Sequence, residues 1–289
     1  MPSVYEIVTE QVIRQLEQGV APWRKPWRTE LPVNLISGKS YRGLNVFLLG
    51  AQGYGSRYWL TFNQAKKLGG HIRKGQHSSL VTFWHIGEEK IIRQTDGTER
   101  KSKPFLLRSY HVFNVEQTEG IADKLGLTGA SPRVPDLEQC EAIVSRVPNA
   151  PKMEQSSKAW YRPSTDTVGM PSKPLFASIE EYYSTLFHEL THSTGHTSRV
   201  GREGIENIAG FGSDSYSREE LIAEMGAAML CGVTGISPAT MSNSASYLQS
   251  WITRLRGDSK LLVSAASAAQ KAADYIRNAN ANSDESEGN

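Results

Sequence analysis

The chain has 289 residues, of which 38% are hydrophobic and 21% charged, and this composition is ordinary for a globular protein with room for two domains. No apolar run approaches the roughly 20 residues needed to cross a bilayer, and the N-terminus lacks the apolar segment of a signal peptide. A cytoplasmic location is therefore expected, and the two cysteines imply no disulfide framework.

The net charge of +2 conceals an asymmetry between the two halves of the chain. Residues 1–130 carry 18 Lys and Arg against 11 Asp and Glu, whereas the remaining residues carry 14 against 19. A basic front half joined to an acidic back half indicates that the front half meets a polyanion, and nucleic acid is the partner that this charge favours.

The front half has the pattern of a small α+β domain. Apolar spacing predicts an amphipathic first helix over residues 3–18, and Thr61 is placed to cap a third helix that ends at Gly69. The remaining predicted elements are a helix reaching about Ala51, a short strand at Tyr58–Leu60, and longer strands at Ser79–His85 and Phe105–Asn114 that form a small antiparallel sheet.

The loop after the first helix interleaves aromatic and basic side chains. Such a mixture suits single-stranded DNA, because indoles stack on unpaired bases and cations hold phosphates. The alternative is that at least one of the two indoles packs into the core. The loop candidates are Trp23, Arg24, Lys25, Trp27 and Arg28, and the cations expected to line an adjoining groove are Arg42, Lys66, Lys67, Arg73 and Lys74.

A segment rich in Gly, Ala, Ser and Pro separates the halves and predicts the domain organisation. The predicted units are a DNA-binding domain at 1–120, a linker at 121–135, a second domain at 136–279 and a disordered tail at 280–289. The second domain should contain a helix at 136–147, two short strands within 159–170, a helix at 180–196, a Gly-rich loop at 197–216, and helices at 217–230, 244–255 and 259–278.

The helix predicted at 180–196 carries His188 and His192 four residues apart, with Glu189 beside the first. Positions i and i+4 share one helix face, so both imidazoles can bind one metal ion. This is the HExxH arrangement of zinc-dependent hydrolases, in which Glu189 takes the proton of the attacking water. Zinc is the expected metal, with another divalent transition metal such as Mn²⁺ as the alternative.

The third protein ligand is expected on the helix at 217–230. Glu220 and Glu224 lie four residues apart on one face, whereas Glu219 falls on another. In one assignment Glu220 binds the metal and Glu224 supports a ligand histidine through a hydrogen bond; in the other, the two roles are reversed. Tyr216, or else His196, is the candidate to stabilise the oxyanion of a tetrahedral intermediate.

The site residues and five further strings carry a family resemblance. The HExxH followed by ExxAE resembles gluzincin metallopeptidases, in which a glutamate is the third ligand, and this implies Glu220 as ligand and Glu224 as its neighbouring support. SYRGLN, YWLTFNQAKKLGG, YHVFNVEQTEG, YYSTLFHELTHSTGH and YSREELIAEMGAAML together resemble the ArdC family of antirestriction proteins from conjugative plasmids.

The resemblance spans nearly the whole chain and implies a joint function. It implies a single-stranded-DNA-binding domain followed by a mostly helical zincin-like metallopeptidase domain with a small sheet, similar to the SprT-like Spartan proteases that digest proteins attached to DNA. The expected peptidase substrate is a host protein on DNA or a restriction component. Residues 167–170, just before the metal helix, would supply the strand on which a peptide pairs.

Two alternative functions remain at this point. In one, the protein is a DNA-binding shield or a competitor of restriction enzymes, and the metal is only structural. The other is a metal-dependent nuclease, which would need additional carboxylates for a second ion, where the sequence supplies HExxH instead.

Overall fold

The structure is a computed structural model of the chain. The described residues are 2–24, 30–87, 90–93, 99–102, 105–127, 134–202, 205, 214–236 and 244–279. Within these ranges the chain has an α+β fold, as predicted, and no helix there has both the length and the apolar character needed to cross a bilayer. The predicted tail at 280–289 lies outside the described residues.

The helices alternate with short strands in the front half and dominate the back half. The helices are α1 (Val4–Glu17), α2 (Leu44–Gly50), α3 (Phe62–Lys67), α4 (Leu137–Ser145), α5 (Ile179–Ser193), α6 (Asp214–Thr234), α7 (Ala245–Gly257) and α8 (Leu261–Ile276). The strands are β1 (Val33–Asn34), β2 (Tyr58–Leu60), β3 (His71–Ile72), β4 (Ser79–Ile86), β5 (Lys90–Arg93), β6 (Glu99–Ser102), β7 (Phe105–Asn114), β8 (Thr118–Glu119), β9 (Lys152–Gln155), β10 (Trp160–Arg162) and β11 (Thr167–Met170).

The front half is built on a four-stranded sheet in the order β1-β2-β7-β4. The predicted strands at 79–85 and 105–114 are confirmed as β4 and β7, which pair antiparallel from Ser79 opposite Val112 to Ile86 opposite Phe105. One detail differs from the prediction, because β1 pairs parallel to β2 and the sheet is mixed. Strands β5 and β6 form a separate two-stranded antiparallel pair.

The apolar core crosses the predicted domain boundary. Helix α1 starts at a capping box between Ser3 and Glu6 and buries Val12 and Leu16 against α7, in the back half. These side chains belong to the same buried cluster as residues of α2, α5, α6 and α8. The two predicted domains therefore share one continuous core.

A second small sheet lies beside α5 in the back half. Its order is β10-β11-β9, with β11 antiparallel to β10 and parallel to β9. Strand β11 is therefore the central strand and not an edge, and its main-chain groups are already used by β9 and β10. The expectation that residues 167–170 pair with a peptide is wrong for this reason; the edges of the sheet are β9 and β10.

Candidate metal centre

Helix α5 carries both histidines of the motif at its C-terminal end. The helix begins where the Ser178 hydroxyl accepts a hydrogen bond from the backbone N–H of Glu181. Its regular geometry then places the Nε2 atoms of His188 and His192 3.1 Å apart. Two metal–imidazole bonds of about 2.0–2.1 Å at a tetrahedral angle would separate the nitrogens by a similar distance.

Helix α6 brings a carboxylate to the same point because it packs unusually close to α5. At Gly226 a Cβ atom would lie 2.5 Å from the Thr191 side chain, so only glycine permits this approach. One turn and a half earlier on α6, the Glu220 carboxylate lies 3.6 Å from Nε2 of His188 and 3.5 Å from Nε2 of His192. Ligand atoms of these three residues all lie within 4.8 Å of one another.

The chemistry of this donor set fits a divalent metal. Two imidazole nitrogens and one carboxylate oxygen are the ligands of catalytic zinc sites, and they also suit manganese and other first-row metals. Burial alone would lower the pKa of His188, but its contact with Glu220 and the charges of Glu189, Glu220 and Glu224 raise it overall. The negative charge of these carboxylates, which favours a proton on His188, also favours a metal cation bound at the same place.

Glu219, and not Glu224, lies against a ligand histidine. Its Oε1 is 3.2 Å from Nδ1 of His192, which leaves Nε2 of that ring directed to the ligand cluster. Arg202 donates hydrogen bonds to both Glu219 oxygens, to the Thr194 hydroxyl and to the backbone carbonyl of Thr191. Burial would raise the pKa of Glu219, but the contacts with His192 and Arg202 lower it, so this buried carboxyl stays ionised.

Glu224 has a different set of partners. Its carboxylate accepts hydrogen bonds from the Trp23 indole at 2.8 Å, from the Arg24 guanidinium at 2.7 Å, and from the Tyr247 hydroxyl. Burial and the neighbouring Glu224 charge raise the pKa of Tyr247. Glu224 thus joins the front half of the chain to α6 and α7, and neither of the two roles weighed for it matches this position.

The same cluster decides the role of the first aromatic residue in the basic loop. Trp23 is only 1% exposed and packs edge-to-face against Trp251, with ring centroids 5.9 Å apart. Arg24 lies over the Tyr247 ring at 3.6 Å. Trp23 therefore packs into the core, and it is not accessible to a DNA base.

The other predicted DNA-binding residues are spread over several surfaces. Lys66, Lys67, Arg73 and Lys74 are exposed on α3 and on the turn after β3. Arg42 forms an ion pair with Asp274 of α8. The remaining candidates, Lys25, Trp27 and Arg28, lie outside the described residues.

The two predicted catalytic residues flank the ligand cluster. Glu189 follows His188 on α5 and is 8% exposed; burial raises the pKa of its carboxyl, although His188 and His192 oppose the change. The Tyr216 hydroxyl hydrogen-bonds to Glu220, and burial together with the Glu220 charge raises its pKa to about 12. Tyr216 is therefore a neutral donor at physiological pH. His196, the alternative, has its Nδ1 2.8 Å from the Ser198 hydroxyl.

Replacing Glu219 with glutamine should weaken divalent-metal binding by about 10- to 100-fold, because the neutral amide no longer fixes the His192 ring or balances Arg202. The measurement is a competition titration against a fluorescent chelator. The matched control is Glu224→Gln, on the same helix but hydrogen-bonded to Trp23 and Arg24, which should leave metal affinity close to the wild-type value. Equal losses in the two variants would contradict the assignment of the supporting role to Glu219.

Comparison with known proteins places both halves in described families. A family model for the N-terminal domain of the anti-restriction factor ArdC matches residues 2–113, and one for a zincin-like metallopeptidase matches residues 138–268. The protein y4eC of Sinorhizobium fredii, which is uncharacterized, is 33% identical over 95% of this chain and 91% of its own length.

Two further relatives are a plasmid protein of known structure and a much longer enzyme. The crystal structure of antirestriction protein ArdC from plasmid R388 is 35% identical, with a TM-score of 0.74 over 95% of this chain and 96% of its own in the metal-free form. The Mn(II)-bound form gives a TM-score of 0.73 over 98% and 100%. DNA primase TraC of Escherichia coli is 33% identical over 94% of this chain, which spans only 27% of TraC.

Proposed function

Because the chain belongs to the ArdC family of antirestriction proteins, we propose that it binds single-stranded DNA and hydrolyses peptide bonds in a protein held on that DNA. In this way it protects incoming plasmid DNA from host restriction during conjugation. The observation that carries the peptidase part is the convergence of His188, His192 and Glu220 beside the buried Glu189. The basic front half and the relation to a DNA primase support the DNA part.

In the proposed reaction, His188, His192 and Glu220 hold the metal, and Glu219 keeps the His192 ring in its binding orientation. A divalent metal in this site supplies Lewis acidity to the attacking water and to the peptide carbonyl. The Glu189 carboxylate accepts the proton of that water and passes it to the leaving amine. The Tyr216 hydroxyl donates a hydrogen bond to the carbonyl oxygen as negative charge develops there.

Zinc is the metal that we propose for the site, since two imidazoles and one carboxylate form the ligand set of many zinc peptidases. The R388 relative has a Mn(II)-bound form, and the same donors accept that ion. Elemental analysis of protein purified without added metal distinguishes the two.

The function is tested with a substrate protein bound to single-stranded DNA. Protein loaded with Zn²⁺ or Mn²⁺ is incubated with an oligonucleotide coated by a single-stranded-DNA-binding protein, and fragments are separated by electrophoresis. We expect cleavage that requires the metal, stops with a chelator and is faster with DNA than without it. Tight DNA binding with no cleavage under either metal would favour the shielding function, in which the metal is structural.

A further inference from the structure

The β4–β7 ribbon exposes aromatic side chains on one face. Side chains alternate along a strand, and residues directly opposite each other on paired strands share a face. Phe83 lies opposite Arg108, and Tyr110 lies opposite Val81 on the same face. Phe83, on the edge strand β4, is 38% exposed, and Tyr110 on β7 is 37% exposed.

These rings are held in place and do not project freely. The Phe83 and Tyr110 centroids lie 5.7 Å apart at an interplanar angle of 65°, and Tyr41 lies 6.2 Å from Phe83 on the other side. The rings of Tyr41, Phe83 and Tyr110 form a row. Its buried end is held in place because Tyr41 belongs to a buried cluster with Val81 and Trp59. The exposed rings are thus fixed before any ligand arrives, and ordering them on binding costs little.

The charge around this face favours an anion. Neither strand of the ribbon contains an Asp or Glu at positions 79–86 or 105–114, whereas Arg108 on β7 is basic. Arg108 lies beside Phe83 and is exposed, and it forms no ion pair with any carboxylate among the described residues. An aromatic face with an exposed guanidinium and no carboxylate on either of its two strands is complementary to a strand of phosphates carrying unpaired bases.

We propose that the face formed by Phe83, Arg108 and Tyr110 is the single-stranded-nucleic-acid contact surface of this protein. Two bases stack on the Phe83 and Tyr110 rings, and Arg108 holds the phosphate between them. A duplex offers no free base faces, so the surface selects single strands. This inference rests on the proposed DNA-binding function and assigns it to the ribbon, in place of the buried Trp23.

The test is fluorescence anisotropy with a labelled oligo-dT of about 20 nucleotides, longer than the roughly 4–16 nucleotides that a compact single-strand site covers. Phe83→Ala and Tyr110→Ala should each weaken binding by about 5- to 150-fold. Arg108→Gln should weaken binding and lower the slope of log affinity against log salt by about 0.7. The matched control is Trp84→Ala, because Trp84 is 48% exposed on the opposite face of the same strand and contacts Tyr5.

Different outcomes test the assignment to this face and the proposed DNA-binding function. If the wild type binds oligo-dT and the Phe83 and Tyr110 variants bind equally well, the assignment to this face is overturned and the proposed function stands. If Trp84→Ala loses as much as Phe83→Ala with unchanged melting temperatures, the assignment to one face is wrong. If the wild type binds no single strand, the proposed function fails first. A wild-type dimer that only Phe83→Ala dissociates, with oligo-dT binding unchanged, would identify the face as a self-association surface.

Discussion

Replacing Glu189 with glutamine should slow peptide hydrolysis by about 10²- to 10⁴-fold while metal affinity stays close to that of the wild type. The amide has nearly the same size as the carboxylate but cannot accept the proton of the attacking water. Glu189 is not among the three residues whose donor atoms converge, so its loss leaves the ligand set intact. Single-turnover cleavage and a metal titration on the same preparation measure the two quantities.

The comparison variant is His188→Ala, which removes a ligand and should lose metal and cleavage together. A Glu189→Gln protein that still cleaves at the wild-type rate would show that another group takes the proton. A third result concerns the biology: if Glu189→Gln abolishes cleavage but protects incoming plasmid DNA fully, the peptidase chemistry is separate from antirestriction. Failure of His188→Ala alone, through unfolding, would indicate that the metal is structural.

The parts of this protein that follow from local sequence could be predicted. The spacing of His188 and His192 is a property of one helix, and the caps at Ser178 and Thr61 act within three residues, so the elements around them needed no tertiary information. The ribbon strands β4 and β7 were likewise evident from their β-branched and aromatic content, although the exposure of Phe83 was not. Local sequence patterns therefore predicted the part of the metal centre that α5 contributes, His188 and His192.

The rest of the metal centre depends on how two helices cross. Glu220 and Glu224 share a face of α6, which is why both were candidates, while Glu219 is about 100° away around the axis. Which carboxylate meets Nδ1 of His192 is set by the close contact of Gly226 with Thr191 and by Arg202, which comes from an irregular loop. Such a contact has no periodicity in the sequence, so the sequence alone did not indicate Glu219 as the partner of His192.

The position of Trp23 in the basic loop likewise could not be predicted from the sequence. Interleaved indoles and cations are compatible with a DNA surface and with a polar cluster beneath a loop, because an indole N–H and a guanidinium are also good partners for a buried carboxylate. The partner of Trp23 is Glu224, which is 201 residues away in the chain. Only the tertiary fold shows which alternative holds.

Replacing Arg199 with alanine should lower the free energy of unfolding by about 3–5 kcal/mol. The Arg199 side chain is 0% exposed and forms an ion pair with Asp166 of the turn before β11. It also donates to the carbonyl of Ser193 at the end of α5, at 2.7 Å, and to the carbonyl of Asn149 at 2.8 Å. Alanine leaves the carboxylate and both carbonyls without this donor, beside a cavity.

Denaturant unfolding measures the change, and Arg162→Ala is the control. Arg162 is also a cation of this region, but it is exposed and its main contact is with the face of Trp160 at 4.3 Å. Its loss should cost no more than about 1 kcal/mol. A similar small loss for Arg199→Ala would show that water replaces the guanidinium and that the three segments do not depend on it.

The Arg199–Asp166 pair also predicts a pH dependence of stability with a definite sign. The hydrogen bond from Arg199 lowers the pKa of Asp166 in the folded protein below the value of about 3.9 expected for the unfolded chain. A carboxyl with a lowered folded pKa stabilises the protein above its unfolded pKa, and this stabilisation is lost as pH falls through the folded pKa. The advantage of the wild type over Asp166→Asn should therefore be full at pH 7 and shrink below about pH 4.

Asparagine tolerates the positive φ of 45° at this position, so the comparison isolates the charge. An advantage that stays constant from pH 7 to well below pH 4 would mean that Asp166 contributes through its shape or backbone and not through its ion pair with Arg199.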